Sequence, residues 1–129
     1  MEELKVFDRE SFPIKHTGKK GVPTVSLTPD RGEVYFSKAV CVMMDLHDGD
    51  LVEVVQRGND PLAIGFRKTD NPNGFGLHTH HGGMRFVSSK LVARILLGFG
   101  KMRMTIVQLG SEPEKGIYWI LKGSIDKRL

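Results

Sequence analysis

The chain has a single cysteine among its 129 residues, so no internal disulfide can brace it. Cys41 stands in the apolar run Ala39-Val40-Cys41-Val42-Met43-Met44. With no base near it in sequence, it reads as a small buried thiol rather than a nucleophile. No apolar run approaches the roughly 18 residues of a membrane span. The opening Met1-Glu2-Glu3-Leu4-Lys5 has neither the basic stretch nor the apolar core of a secretory signal, so a cytoplasmic protein is expected. No GxxxxGK[ST] phosphate loop occurs, and Gly98-Phe99-Gly100-Lys101 is too short to serve as one. Asp45, Asp48 and Asp50 lack the longer loop and closing glutamate of an EF-hand, so turn and cap duties account for them. Neither catalysis nor a cofactor is expected.

What is present is an ordinary globular composition, 40% hydrophobic and 26% charged. Its length suits one core and not two. The net charge of +4 is unevenly spread. Between Thr24 and Thr69 there are five basic and seven acidic side chains; from Asp70 to Leu129 there are nine basic and four acidic. The second half carries the positive field, which permits attraction to a polyanion without demanding it.

The chain also contains an internal echo. Leu27-Thr28-Pro29-Asp30-Arg31-Gly32-Glu33-Val34-Tyr35-Phe36 aligns with Leu77-His78-Thr79-His80-His81-Gly82-Gly83-Met84-Arg85-Phe86. After a slip of two residues, Ser37-Lys38 falls on Ser89-Lys90 and Val54-Val55-Gln56-Arg57-Gly58 on Ile106-Val107-Gln108-Leu109-Gly110. Residues 1–22 lack a clear period and read as an arm. The first repeat, about 24–69, predicts strands at Val25–Leu27 and Val34–Phe36 and a well-buried helix at Lys38–Leu46 capped by Ser37. Strands at Leu51–Gln56 and Leu62–Lys68 complete it. Asp70-Asn71-Pro72-Asn73-Gly74 divides the copies. The second, about 75–123, predicts strands at Phe75–Thr79 and Met84–Val87 and a helix at Ser89–Phe99. Strands at Met102–Leu109 and Ile117–Lys122 follow, with Met102 and Met104 as core filler. Each ββαββ unit is too small to close a core alone. The expectation is a mainly β fold with two short helices, in which two units pair about a pseudo-twofold axis and close a β-barrel in one domain over 23–129.

Ser26-Leu27-Thr28-Pro29-Asp30-Arg31-Gly32-Glu33-Val34-Tyr35-Phe36-Ser37-Lys38, followed by Asp45-Leu46-His47-Asp48-Gly49-Asp50-Leu51-Val52-Glu53-Val54, resembles an AbrB-type swapped-hairpin unit. The resemblance spans roughly residues 24–69 and reaches the rest through the echo. It implies a cradle-type barrel and a DNA-binding transcriptional regulator or accessory protein. The chain departs from the family pattern where Ser37 replaces a proline. Glu33 and Gly83 replace a basic residue after the hairpin glycine, and Cys41 and Ala93 replace a helical arginine.

The candidate double-stranded DNA contacts are Arg31, Lys38, Arg85, Lys90 and Arg94, with Lys15, Lys19 and Lys20 in the arm. For any one of them a solvated surface charge is the competing reading. An interaction module that keeps the barrel and binds a protein partner is the alternative. His78 and His80 share one side of a strand about 7 Å apart. With His81 or His16 they offer imidazoles to zinc or nickel, but without a fixed further ligand an exposed polar hairpin is preferred. Trp119 reads as a core or interface anchor.

Overall fold

A computed structural model describes residues 21–125 of the chain. The arm basics Lys15, Lys19 and Lys20, and His16, lie outside the described residues. The fold is mainly β, with two sheets and three short helices.

β1 (Thr24–Thr28) and β2 (Glu33–Phe36) form a hairpin in which Val25 faces Phe36 and Thr28 faces Glu33. Gly32 closes the turn at φ +59° by donating to the Pro29 carbonyl at 3.2 Å. That left-handed conformation suits glycine best. Ser37 caps α1 (Lys38–Met43), its hydroxyl accepting from the Val40 amide at 3.4 Å. α1 stops before the expected Leu46 because Asp45 turns to φ +55°. It is also less buried than its apolar sequence suggested, with Val42 exposed. β3 (Leu51–Gln56) and β4 (Ile64–Lys68) pair through a turn at Gly58-Asn59-Asp60-Pro61, where the Asp60 carboxylate accepts from the Leu62 amide.

The predicted strand Phe75–Thr79 is broken at Leu77 into β5 (Phe75–Gly76) and β6 (His78–His80). Leu77 is fully buried, and its backbone bonds reciprocally with the acidic turn. Its N–H donates to the Asp50 carbonyl and its own carbonyl accepts from Gly49, both at 2.9 Å. β7 (Gly83–Val87) leads into α2 (Ser89–Phe99), which ends at Gly100 in the left-handed region. β8 is confined to Thr105–Gln108, because Met102, Arg103 and Met104 form an exposed connection instead of strand or core. The expected final strand shrinks to β9 (Tyr118–Trp119), and the chain coils into a third helix, α3 (Lys122–Ile125). Ser124 fixes it by accepting from the Gln108 amide at 2.9 Å and donating to the Leu121 carbonyl at 2.6 Å, while Ile125 enters the core.

The strands pair across the halves of the chain. The larger sheet runs β6-β7-β2-β1-β8 and the smaller β5-β3-β4-β9, so the ladders make two sheets rather than one continuous closed one. β2 lies antiparallel to β7, β1 to β8, β3 to β5 and β4 to β9. The sheets meet where Leu77 joins β5 to β6 and where Leu109 bridges Ile120. One core collects Val25, Leu27, Phe36 and Phe66 with Leu77, Phe86, Val92 and Val107. Phe36 packs edge-on against Phe66 at 5.2 Å, and Phe75 stacks on Phe86 at 4.5 Å. Neither half holds a complete apolar layer alone.

Candidate nucleic-acid interface

Alternation fixes the outer face of the larger sheet. Val25, Leu27, Val34, Phe36, Phe86 and Val107 point inward and are all but inaccessible. The residues between them therefore point out. Register then builds a cross-strand row of Ile106, Ser26, Tyr35, Arg85 and His78. Glu33, two residues from Tyr35 on the same face, holds the Arg85 guanidinium at 2.7 Å. The carboxylate is nearly buried while the arginine remains a third exposed. A charge so placed needs its partner.

Tyr35 donates its phenol to the His81 carbonyl at 3.0 Å, and its ring meets His80 edge-on. Burial pushes the Tyr35 phenol above its ordinary range. His80 is held below the usual histidine range, first by burial and then by the charges of Arg85 and His81, with Arg31 acting the same way and Glu33 opposing. His80 and His81 stand with ring centroids 4.1 Å apart, and His81 has a φ of +47°. Among the described residues no three His, Cys, Asp or Glu side chains converge in a group that could hold a metal ion.

The antiparallel β2–β7 pairing places each hairpin turn beside the other half's helix. A Cβ on Gly32 would lie 2.6 Å from the Ser89 Cα, and the Ser88 amide donates to the Gly32 carbonyl at 2.8 Å. The turn carrying Arg31 thus meets the start of α2, where Lys90 follows Ser89 and Arg94 stands one helical turn later on the same face. The Arg31 charge also reaches His80. Lys38 starts α1 at the opposite end of β2, about 17 Å along the strand direction. There the His81-Gly82 turn approaches through Gly83, whose backbone abuts the Phe36 carbonyl and the Tyr35 ring. The candidate cations of the sequence thus split into three settings. Arg31, Lys90 and Arg94 gather at one end, Lys38 stands at the other, and Arg85 lies between them in its ion pair.

Ion pairing separates these cations from the rest. Arg57, Arg67, Lys68, Arg85 and Lys122 are matched to Glu114, Glu53, Asp50, Glu33 and Asp60. Among the described residues Arg31, Lys38, Lys90 and Arg94 are exposed and make no ion pair. Three carboxylates of the acidic turn and β3 are engaged with other groups. The Thr79 amide and hydroxyl hold the exposed Asp48 carboxyl below its ordinary range, and the His47 amide does the same for Asp50. Asn71, then Arg67, lowers Glu53.

Sequence reading missed two participants. Glu33 became the partner of Arg85 only once β2 and β7 were paired, a contact that joins the two halves. Arg103 is exposed in the connection before β8, and its neighbourhood had been assigned to a strand. An open groove of about 360 Å³ lies where β6 diverges from β7, lined by Phe75, Gly76, His78, Arg85, Phe86 and Val87. Trp119 is partly buried with the Arg57 guanidinium 4.5 Å over its ring, and its indole N–H has no hydrogen-bond partner among the described residues. Cys41 is buried, its thiol pushed up by burial. Among the described residues no helix is long and apolar enough to cross a membrane. No protein family, curated protein or solved structure matches the chain.

Proposed function

We propose that this chain is a non-enzymatic DNA-binding regulator or accessory protein, built as a duplicated AbrB-like swapped-hairpin barrel. The observation that carries the DNA reading is the set of exposed cations without ion pairs at Arg31, Lys90 and Arg94, with Lys38 across the sheet. Cations left unneutralised at a hairpin turn and helix starts suit phosphate contact, while Arg57, Arg67, Lys68, Arg85 and Lys122 are matched to carboxylates within the chain. The pairing pattern supports the duplication. The first strand of each repeat meets the third of the other, second meets second, and fourth meets fourth. A twofold relation demands that reciprocity. The bridges at Leu77 and at Leu109–Ile120 support the barrel by joining the edges of the two sheets.

The reading assigns Arg85 a lesser part than Lys90 and Arg94, since Glu33 already holds its guanidinium. Fluorescence anisotropy with mixed duplex DNA across a salt series is the test. The wild type is expected to weaken linearly in log affinity against log salt. The triple variant Arg31→Ala, Lys90→Ala, Arg94→Ala should lose about 0.9 of slope for each phosphate contact removed. Affinity that ignores salt, or a triple variant that binds like wild type, would sink the DNA reading. The second reading is a protein-interaction module, favoured by the same Glu33–Arg85 pair, which neutralises the centre of the face. It predicts no duplex binding even at low salt.

A further inference from the structure

We infer that the C-terminal end of α2 and the connection after it form a docking surface for an acidic amphipathic segment of a partner protein. That surface shares Arg94 with the DNA reading but rests on apolar groups that phosphate contact does not use. α2 buries Val92, Ile95, Leu96 and Phe99, so its opposite side should be polar. Instead Leu97 stands there 80% exposed, one turn beyond Arg94. Gly100 then reverses the chain, its amide donating to the Leu97 carbonyl at 3.0 Å and that of Lys101 to Leu96 at 2.9 Å. Met102 follows at 93% exposure and Met104 at 53%, with Arg103 between them. Three large exposed apolar side chains within the eight residues 97–104 are more than the scatter of single exposed hydrophobes found on most surfaces. Methionines of this kind adapt to a partner's shape at little cost.

Charge selects the partner. Arg94 and Arg103 flank the apolar groups and make no ion pair among the described residues. The connection from Lys101 to Thr105 holds no acidic residue at all. A helix with leucines or aromatics on one stripe and carboxylates beside it would cover the apolar groups and neutralise both guanidiniums. DNA supplies the charge without the apolar stripe, so phosphate contact leaves Leu97, Met102 and Met104 unexplained.

The experiment is selection of a displayed random 16-residue peptide library on the full chain, counter-selected on the double variant Leu97→Ser, Met102→Ser. Both side chains are largely solvent-exposed, so the variant should keep its fold, which circular dichroism checks. The expected result is enrichment of peptides combining Asp or Glu with Leu or Phe at helical spacing. They should bind wild type at least tenfold more tightly than the double variant, and weaken for Arg94→Glu. No enrichment, or enriched peptides without acidic residues, would overturn the proposal. So would a wild-type dimer that the double variant abolishes in sedimentation velocity, which would assign the surface to a second copy. Flotation with anionic phospholipid vesicles that the double variant alone loses would assign it to a lipid surface and overturn it equally.

Discussion

Glu33 and Arg85 are unequal partners, and their inequality is measurable. The carboxylate is nearly buried, whereas the guanidinium still reaches solvent. Replacing Arg85 by Ala strands a buried charge, which should cost about 2–3 kcal/mol. Glu33→Gln leaves an arginine that water can solvate and an amide that can still hydrogen-bond, so its loss should stay near 1 kcal/mol. Urea titrations at neutral pH check the order, and the double variant gives the coupling. Equal losses would mean that the pair contributes as a surface contact only. The same side chains explain why single-residue reading of the DNA candidates was incomplete. Exposure of Arg31, Lys38, Lys90 and Arg94 follows from turn and helix-start positions, which local pattern supplies. The loss of Arg85 to an internal pair depends on which strand lies next to β7.

Among the elements, the glycines of the two hairpin turns have different duties despite matching places in the sequence. Gly32 sits at φ +59° with Ser89 pressed against it, while Gly82 at φ +84° has open space where a side chain would go. Gly82→Ala should cost only the left-handed backbone penalty, about 1 kcal/mol. Gly32→Ala adds a collision with helix backbone and should lose roughly 3 kcal/mol or more, read as a lower urea midpoint. Comparable midpoints would show that α2 yields freely at its start. The elements most readable from sequence were those with local signals. Leu51–Gln56 and Ser89–Phe99 carry their own periodicity and stops, and both occur as expected. The failures came where a long-range contact overrides propensity. Leu77 leaves its strand for the Gly49–Asp50 backbone, and Lys122, expected at the end of the last strand, instead opens the α3 turn that Ser124 anchors to Gln108. Met102 and Met104 were expected inside on hydrophobicity alone and lie outside because Gly100 redirects the chain.

At the scale of the molecule, every sheet needs both halves of the chain. β1 finds its outer neighbour in β8, and β3 finds one of its neighbours in β5. Fragments 1–72 and 73–129 expressed separately should each lack cooperative unfolding, since each exposes unpaired strand edges and half of one core. Mixed in equal amounts, they should recover the β-rich circular dichroism and single transition of the intact chain. A cooperatively folded fragment would refute interdependence of the halves. The mainly β class was accessible from strand-length apolar segments and turn chemistry. Which edges meet was not accessible, since no local signal reports a partner strand in the other half.

The β1–β8 ladder also sets a condition on synthesis. Val25 leaves the ribosome long before its neighbour Val107. Until then the first hairpin presents a bare edge and the aromatic face of Phe36 to whatever it meets. Completion of the larger sheet must wait for β8 and then close a long loop, which favours slow acquisition of structure. Chaperone capture of the nascent first half, or slower translation before β8, would therefore alter the yield of this protein more than that of a domain whose neighbouring strands are made consecutively.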